Sequence, residues 1–202
     1  MKTKKCQVLV VGAGPGGYVA AIRSAQLGLS TIIVEGERAG GTCLIRGCIP
    51  SKALIHAAHT FHNLEKHAKK DGHMGISIPG PAELVMENLV GWKEGIVDRL
   101  NKGVEALLKN AGAELVAGWA VFQDAKTVKV GEGKDATIIQ ADHVVMAQGS
   151  VPIELPFMPF SDNVLSSREA LSLTTLPEHV VVVGGGYIGL ELGILSLIHI
   201  SE

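Results

Sequence analysis

The chain has 202 residues, 19% charged residues and a formal net charge of −2, so it is long enough for one or two domains with a sizeable core. The charge balance does not indicate binding to nucleic acid or to an anionic membrane surface, and 4% aromatic residues are too few for a single-strand stacking platform. No apolar run reaches the ~18 residues of a membrane span, and glycines interrupt the N-terminal stretch that imitates a signal peptide. We expect a cytoplasmic protein with no nucleic-acid or membrane partner.

The first predicted unit is a strand, a glycine-rich turn, a helix and a second strand. The apolar residues 8–11 lead directly into GAGPGG, the segment YVAAIRSAQLG predicts a helix closed by Gly28, and STIIVE predicts a strand ending at Glu35. The turn has G-x-G-x-x-G spacing, with glycines at Gly12, Gly14 and Gly17. This combination favours a dinucleotide site, with the diphosphate at the helix N-terminus and the Glu35 carboxylate on a ribose.

Two cysteines follow in the segment GGTCLIRGCIPSK, with four residues between Cys43 and Cys48. A regular helix would hold their Cα atoms too far apart for a disulfide, whereas an irregular turn containing Gly47, followed by a helix starting near Pro50, would allow one. No further cysteine or histidine pair completes a zinc site, and a structural staple around so short a loop would add little stability. A redox pair is therefore favoured over a zinc half-site or a staple.

The next 100 residues predict two helices and then short strands. Residues 51–69 and 82–110 have helical patterns, the second ended by Gly112, and four histidines of the first helix are expected to be solvated rather than to bind metal. Residues 113–147 contain short β-like runs separated by turn signals, which predict a small antiparallel meander returning to the main sheet.

The glycine fingerprint then recurs. After a Pro- and Ser-containing connector, VVVVGGGYIGLELG predicts a further strand followed by a second glycine turn, with glycines at Gly184, Gly186 and Gly189. The acidic residue expected about 20 positions further would lie past residue 202. We therefore expect a first dinucleotide domain over 1–150, a connector over 151–178, and a truncated start of a second domain over 179–202.

Together these segments resemble the pyridine nucleotide-disulfide oxidoreductases, and within them the dihydrolipoamide dehydrogenases. The resemblance implies an α/β fold: a Rossmann-like FAD-binding domain with a β-meander insertion, then the start of a Rossmann-like NAD-binding domain. It implies that electrons pass from dihydrolipoamide through a Cys43–Cys48 disulfide and FAD to NAD, with Lys52 and its partner Glu191 beside the flavin. The residues it places around FAD are Gly12, Gly14, Pro15, Gly16, Gly17, Glu35, Gly41, Thr42, Cys43, Lys52, Ala120, Ala147, Gly149 and Ser150. Those it places around NAD are Gly184, Gly186, Tyr187, Ile188 and Gly189.

The resemblance also implies partners: a lipoyl domain or dihydrolipoamide as substrate, a homodimer in the full-length protein, and a 2-oxo acid dehydrogenase complex, of the branched-chain type that AGWA and SREALSLTTLP most resemble. A glutathione or mercuric reductase, or a stand-alone FAD-binding redox module, are the alternatives. Three features depart from the family pattern: Gln148 between the small residues of AQGS, Ile45 and Arg46 between the two cysteines, and the apolar tail LSLIHISE. In the family the catalytic base is a histidine of an interface domain, so we expect this chain to be an inactive fragment.

Overall fold

The computed structural model describes residues 2–68 and 73–198. By its internal contacts the chain divides into two compact units, one with residues 1–45 and 98–151, the other with 46–97 and 152–202. The boundaries predicted at residues 150 and 178 remain predictions. Within the described ranges, none of the helices combines the length and apolarity that crossing a membrane requires.

The first unit is built on one six-stranded sheet. Its strands are β1 (Lys2–Val11), β2 (Thr31–Glu35), β3 (Glu114–Ala117), β4 (Ala120–Phe122), β5 (Thr127–Val130) and β6 (Thr137–Met146), in the order β3-β2-β1-β6-β5-β4. The four strands β3, β2, β1 and β6 are parallel, and β6, β5 and β4 are antiparallel. The predicted α/β class is confirmed, and so is the antiparallel meander.

The run AELVAGWAVF, which reads as a single β-like segment, is divided in the structure. Its first part is β3, which pairs in parallel with β2 at the sheet edge, and its second part is β4 of the meander. Gly118 separates them with φ +137°, a conformation that a non-glycine residue rarely adopts. The meander therefore begins at Ala120 rather than at residue 113.

Burial explains why β1 occupies the centre. Leu9 and Val10 are fully buried and point to opposite faces of the sheet, where they belong to two separate apolar clusters. Such two-sided burial is typical of a central parallel strand. The strand is longer than the apolar run 8–11, because its polar N-terminal part from Lys2 pairs with the first half of β6.

The described residues form four longer α-helices, α1 (Pro15–Gln26), α3 (Cys48–Ala68), α4 (Met86–Ala111) and α6 (Tyr187–Ile198), and two short ones, α2 (Gly41–Arg46) and α5 (Ser167–Ala170). Left-handed glycines end α1 and α4 as predicted, Gly28 with φ +86° and Gly112 with φ +86°. Helix α4 begins later than residue 82. The predicted end of α3 at residue 69 lies outside the described residues.

The second unit contains a buried lysine in α4. Lys93 is 1% exposed, and its Nζ donates to the Leu171 carbonyl at 2.9 Å and to Glu94 Oε1 at 2.6 Å. Leu171 is the C-terminal cap residue of α5, so the ammonium group binds a carbonyl that the end of a helix leaves without an intrahelical donor. This contact fixes the short helix of the predicted connector against α4.

One predicted strand does not form. Residues 180–183 have no β-structure, and their side chains are 44–87% exposed. A parallel strand needs a neighbour to accept its backbone hydrogen bonds, and the described residues of this unit provide none. The helix that should follow is present as α6, which packs against α3 within the same unit.

Candidate cofactor and disulfide site

The first glycine fingerprint forms a turn that only glycine can build. Gly12 has φ +98°, and a Cβ there would lie 2.2 Å from the Ala147 carbonyl oxygen. A Cβ on Gly17 would lie 1.8 Å from the Gly12 carbonyl oxygen. Both distances are far below van der Waals contact, so these glycines let β1, α1 and the segment after β6 approach one another closely.

A second glycine loop lies against this turn. Gly41 has φ +75°, and a Cβ there would lie 2.6 Å from Gly14 Cα and 2.8 Å from Pro15 Cδ. No side chain caps the N-terminus of α1, so its first N–H groups remain donors for an anion. Gly16 has no heavy atom within 4 Å of its Cβ position. The two loops therefore form an all-backbone cradle of the kind that a dinucleotide diphosphate requires.

Glu35 closes one side of the fingerprint turn. Its Oε2 accepts from the Ala13 N–H at 2.7 Å, and its Oε1 accepts from the Glu37 N–H at 2.9 Å. A carboxylate has about four lone-pair directions, so two remain for the hydroxyls of a ribose. The predicted ribose ligand thus also holds the fingerprint backbone, a contact that the sequence does not indicate.

The segment after β6 joins the same turn. The Ala147 N–H donates to the Val11 carbonyl at 2.8 Å, and Gly149 has φ +73°. Gln148, Gly149 and Ser150 are exposed. Ala120 instead starts β4 and packs against the apolar cluster of the sheet. Of the four predicted FAD residues in this part of the chain, the structure brings Ala147 against Gly12.

The cysteines lie on two helices separated by a break. Cys43 is in α2, Gly47 interrupts the helix, and Cys48 is the first residue of α3; both cysteines are exposed thiols. The Ser51 N–H donates to the Gly47 carbonyl at 3.0 Å, which starts α3 three residues earlier than predicted. Pro50 is tolerated because the first-turn N–H groups have no intrahelical acceptor. The disulfide between the two cysteines stays a prediction.

Lys52 and Glu191 form an ion pair within the second unit. Lys52 Nζ lies 2.5 Å from Glu191 Oε1, and the side chains are 58% and 35% exposed. Exposed pairs of this type contribute at most about 1 kcal/mol to stability. The pair therefore adds little to stability, and its role beside a flavin remains a proposal.

The second fingerprint has the same turn as the first. Gly184 has φ +108°, and a Cβ on Gly189 would lie 2.4 Å from the Gly184 carbonyl oxygen. The intervening Gly186 is unobstructed, and Tyr187 and Ile188 begin α6 with exposed side chains. The turn therefore forms although residues 180–183 have no β-structure.

Asn101 is a supporting residue that sequence reasoning missed. It is 7% exposed in α4, and its Nδ2 donates to the Ala39 carbonyl at 2.7 Å. Ala39 immediately precedes the glycines of the second loop, so this bond fixes how that loop starts. Helical spacing is the signal that could have found it, because Asn101 stands four residues after Val97 and three before Val104, on the buried face of α4. As for metal, no group of three or more ligating side chains comes together in the part of the chain described.

Cys6 differs from the other cysteines in its surroundings. It is 7% exposed in β1, and burial raises the pKa of its thiol. Because the thiolate is the reactive form, we expect iodoacetamide to label reduced Cys43 and Cys48 at least tenfold faster than Cys6 near neutral pH. Peptide mapping over time measures the rates, and urea-unfolded protein, in which all three label alike, is the control. Equal rates in the folded protein would contradict the burial of Cys6.

The sequence matches the model of a known protein family. Residues 6–199 match the family model described as pyridine nucleotide-disulphide oxidoreductase. The chain therefore belongs to the pyridine nucleotide-disulphide oxidoreductase family, as its sequence motifs indicated.

Several curated relatives are dihydrolipoyl dehydrogenases. The chain is 50% identical over 190 residues to the dihydrolipoyl dehydrogenase of Pseudomonas aeruginosa, covering 94% of this chain and 40% of that protein. It is 49% identical to that of Geobacillus stearothermophilus, covering 93% and 39%. Among solved structures, the HOCl-induced flavoprotein disulfide reductase RclA from Escherichia coli has the same fold, with a TM-score of 0.77, 24% identity, and coverage of 95% and 40%. The chain thus spans about 40% of the length of these relatives.

Proposed function

We propose that this chain is the FAD-binding and disulfide-bearing part of a dihydrolipoyl dehydrogenase. The observation that carries the proposal is the approach of the second glycine loop to the fingerprint. Gly41, two residues before Cys43, would place a Cβ 2.6 Å from Gly14 Cα, so the start of the cysteine segment is anchored on the diphosphate-binding turn. The relatives named dihydrolipoyl dehydrogenase favour a dithiol substrate over glutathione or mercury.

The backbone cradle around Gly12, Gly14 and Gly41 fits an FAD diphosphate, and Glu35 fits its ribose. A bound flavin would supply two-electron chemistry between a protein dithiol and a nicotinamide. The second fingerprint would hold that nicotinamide as NAD, through the turn from Gly184 to Gly189.

Cys43 and Cys48 exchange their disulfide with the dithiol of the substrate. One thiolate of dihydrolipoamide attacks Sγ of Cys43, which forms a mixed disulfide and releases Cys48 as a thiolate. The second substrate thiol, after losing its proton to a base, attacks the substrate sulfur of the mixed disulfide. Lipoamide leaves as its cyclic disulfide, and Cys43 and Cys48 keep the two electrons. The Lys52 ammonium, paired with Glu191, would provide positive charge near the reduced pair.

The whole protein would act within a 2-oxo acid dehydrogenase complex as a homodimer. Its substrate would be a lipoyl group carried on another component of that complex. A dithiol relay of this kind fits the reducing conditions of the cytoplasm.

The test is the colour of the protein under partial reduction. The protein with FAD is expected to be yellow and, after titration with dithiol, to show a long-wavelength absorbance that Cys48→Ser abolishes and Cys43→Ser keeps, because only a thiolate against the flavin donates charge. Cys6→Ala is the matched cysteine control and should behave as the wild type. Folded, colourless protein that does not take up added FAD would refute the proposal, as would a Cys48→Ser protein with the full absorbance.

A further inference from the structure

The buried lysine of α4 carries a charge that packing alone does not require. Lys93 is 1% exposed, and its ammonium group donates to the Leu171 carbonyl and to Glu94 Oε1. Apolar side chains of similar volume often replace a buried charge without loss of stability. An apolar side chain could not bind the Leu171 carbonyl, so the specific effect of Lys93 is on the position of that residue.

Helix α5, which ends at Leu171, is held at both ends. At its N-terminus Ser166 Oγ accepts from the Arg168 N–H at 3.2 Å, and Glu169 Oε2 accepts from the Ser166 N–H at 3.0 Å, in a capping box. At its C-terminus the ammonium group of Lys93 binds the carbonyl of the cap residue Leu171. A helix of four residues is not stable by itself, so these contacts decide where it lies.

The position of α5 reaches an ion pair of the same unit. Helix α5 lies against α6, which carries Glu191, and α6 also packs on α3, which carries Lys52. Lys52 Nζ lies 2.5 Å from Glu191 Oε1. Both side chains are partly exposed, so their contact depends on how the two helices are held. Because packed elements transmit displacements to one another, a shift of α5 would move the Glu191 carboxylate relative to the Lys52 ammonium.

We propose that Lys93 is a positioning residue for the Lys52–Glu191 pair. By binding the end of α5, it holds α6 where the Glu191 carboxylate meets the Lys52 ammonium. Lys52 stands four residues after Cys48 in α3, so helical spacing puts the two on one face of that helix. The inference rests on the proposed function, which gives the Lys52 ammonium a role near the reduced cysteines. Lys93 thus fixes the direction of a charge that it does not touch.

A zero-length carbodiimide cross-link measures the pair directly, because it joins only a carboxylate and an amine that are in contact. Peptide mapping quantifies the Lys52–Glu191 cross-link in the full chain without added cofactor. Lys93→Met keeps an apolar stem but removes the donor, and is expected to lower the yield of this cross-link by about fivefold or more. The Lys4–Glu114 pair of the first unit supplies an internal control cross-link, whose yield should not change.

Two further variants complete the cross-linking test. Lys102→Met removes an exposed lysine from α4 and should leave both cross-links at the wild-type yield. Ser166→Ala removes the capping box of α5 while Lys93 stays in place, and is expected to lower the Lys52–Glu191 cross-link by about twofold or more. Ser166 is only partly buried, so this variant tests the route through α5 if circular dichroism shows that Lys93→Met does not fold.

Absorbance provides a readout that a purely structural role would not change. In protein with FAD, Lys93→Met is expected to lower the long-wavelength absorbance of the dithiol-reduced state by about twofold, because the ammonium loses its fixed position. Glu191→Gln is expected to give the same decrease. Adding Lys93→Met to Glu191→Gln should lower the absorbance by less than about one tenth more, since both substitutions act on one pair.

The outcomes separate this inference from the proposed function. Folded Lys93→Met protein with the wild-type Lys52–Glu191 yield would overturn the positioning role, and so would an equal fall of both cross-links. Full absorbance in Lys93→Met protein with FAD, additive effects in the double variant, or wild-type yield in Ser166→Ala would overturn it as well. Wild-type protein that takes up no FAD would overturn the proposed function, and the cross-link would still decide whether Lys93 holds the pair.

Discussion

Gly17→Ala is expected to lower the melting temperature of the protein by about 6–12 °C, corresponding to a loss of about 3 kcal/mol in the free energy of unfolding. The added methyl would lie 1.8 Å from the Gly12 carbonyl oxygen, so either the turn or the start of α1 must move. That carbonyl belongs to backbone held on both sides by the sheet, which leaves little room for adjustment. Thermal denaturation followed by circular dichroism measures the change.

The neighbouring Gly16 provides a matched control. It lies in the same helix, is exposed, and has no heavy atom within 4 Å of its Cβ position. Alanine there reduces the conformational entropy of the unfolded chain and is expected to be neutral or to stabilise by up to about 1 kcal/mol. The two adjacent Gly→Ala variants should therefore differ in their free energy of unfolding by about 3–4 kcal/mol. Equal stability of the two variants would show that the turn is not packed as described.

Glu35→Ala is expected to reduce FAD affinity about 100-fold and the free energy of unfolding by about 2–4 kcal/mol. The ribose loses charge-assisted hydrogen bonds, and the N–H groups of Ala13 and Glu37 lose their acceptor. Glu35→Gln should be intermediate, because its amide NH2 would face one of these two N–H donors. Flavin fluorescence titration and chemical denaturation measure the two effects.

Glu105→Ala is the matched acidic control. Glu105 is exposed on α4 of the same unit, and its removal is expected to change stability by less than about 0.5 kcal/mol and FAD affinity not at all. A Glu35→Ala protein with wild-type stability and weakened FAD binding would assign Glu35 to the ribose alone. Wild-type values for both would remove Glu35 from the site.

The sequence predicted the fold wherever short-range patterns decide the structure. Glycine spacing set both fingerprint turns, and apolar runs placed β1 and β2, because steric requirements and burial act over a few residues. It was less informative where distant residues decide. Residues 180–183 have the composition of a strand, yet a strand exists only through a neighbour, and the run at 114–122 divides between two strand partners at Gly118.

Two side chains of α4 show the same limit for the site and its support. Lys93 and Asn101 are polar residues four positions before and after Val97, so helical spacing puts both on the buried face of α4, where each donates to a carbonyl from another part of its unit. Those acceptors, Leu171 and Ala39, are more than 60 residues away in sequence. Helical periodicity places the two side chains on the buried face, but it carries no information about which distant backbone oxygen each will bind.

The turn shared by both fingerprints can form early while the chain is being synthesised. A loop whose shape follows from the contact between Gly184 and Gly189 does not wait for β-structure around it. In a polypeptide that emerges from the ribosome N-terminus first, the residues that make this contact emerge together, before any strand further along the chain. Neighbouring strands then meet a connection that is already bent, and they lose less chain entropy on docking.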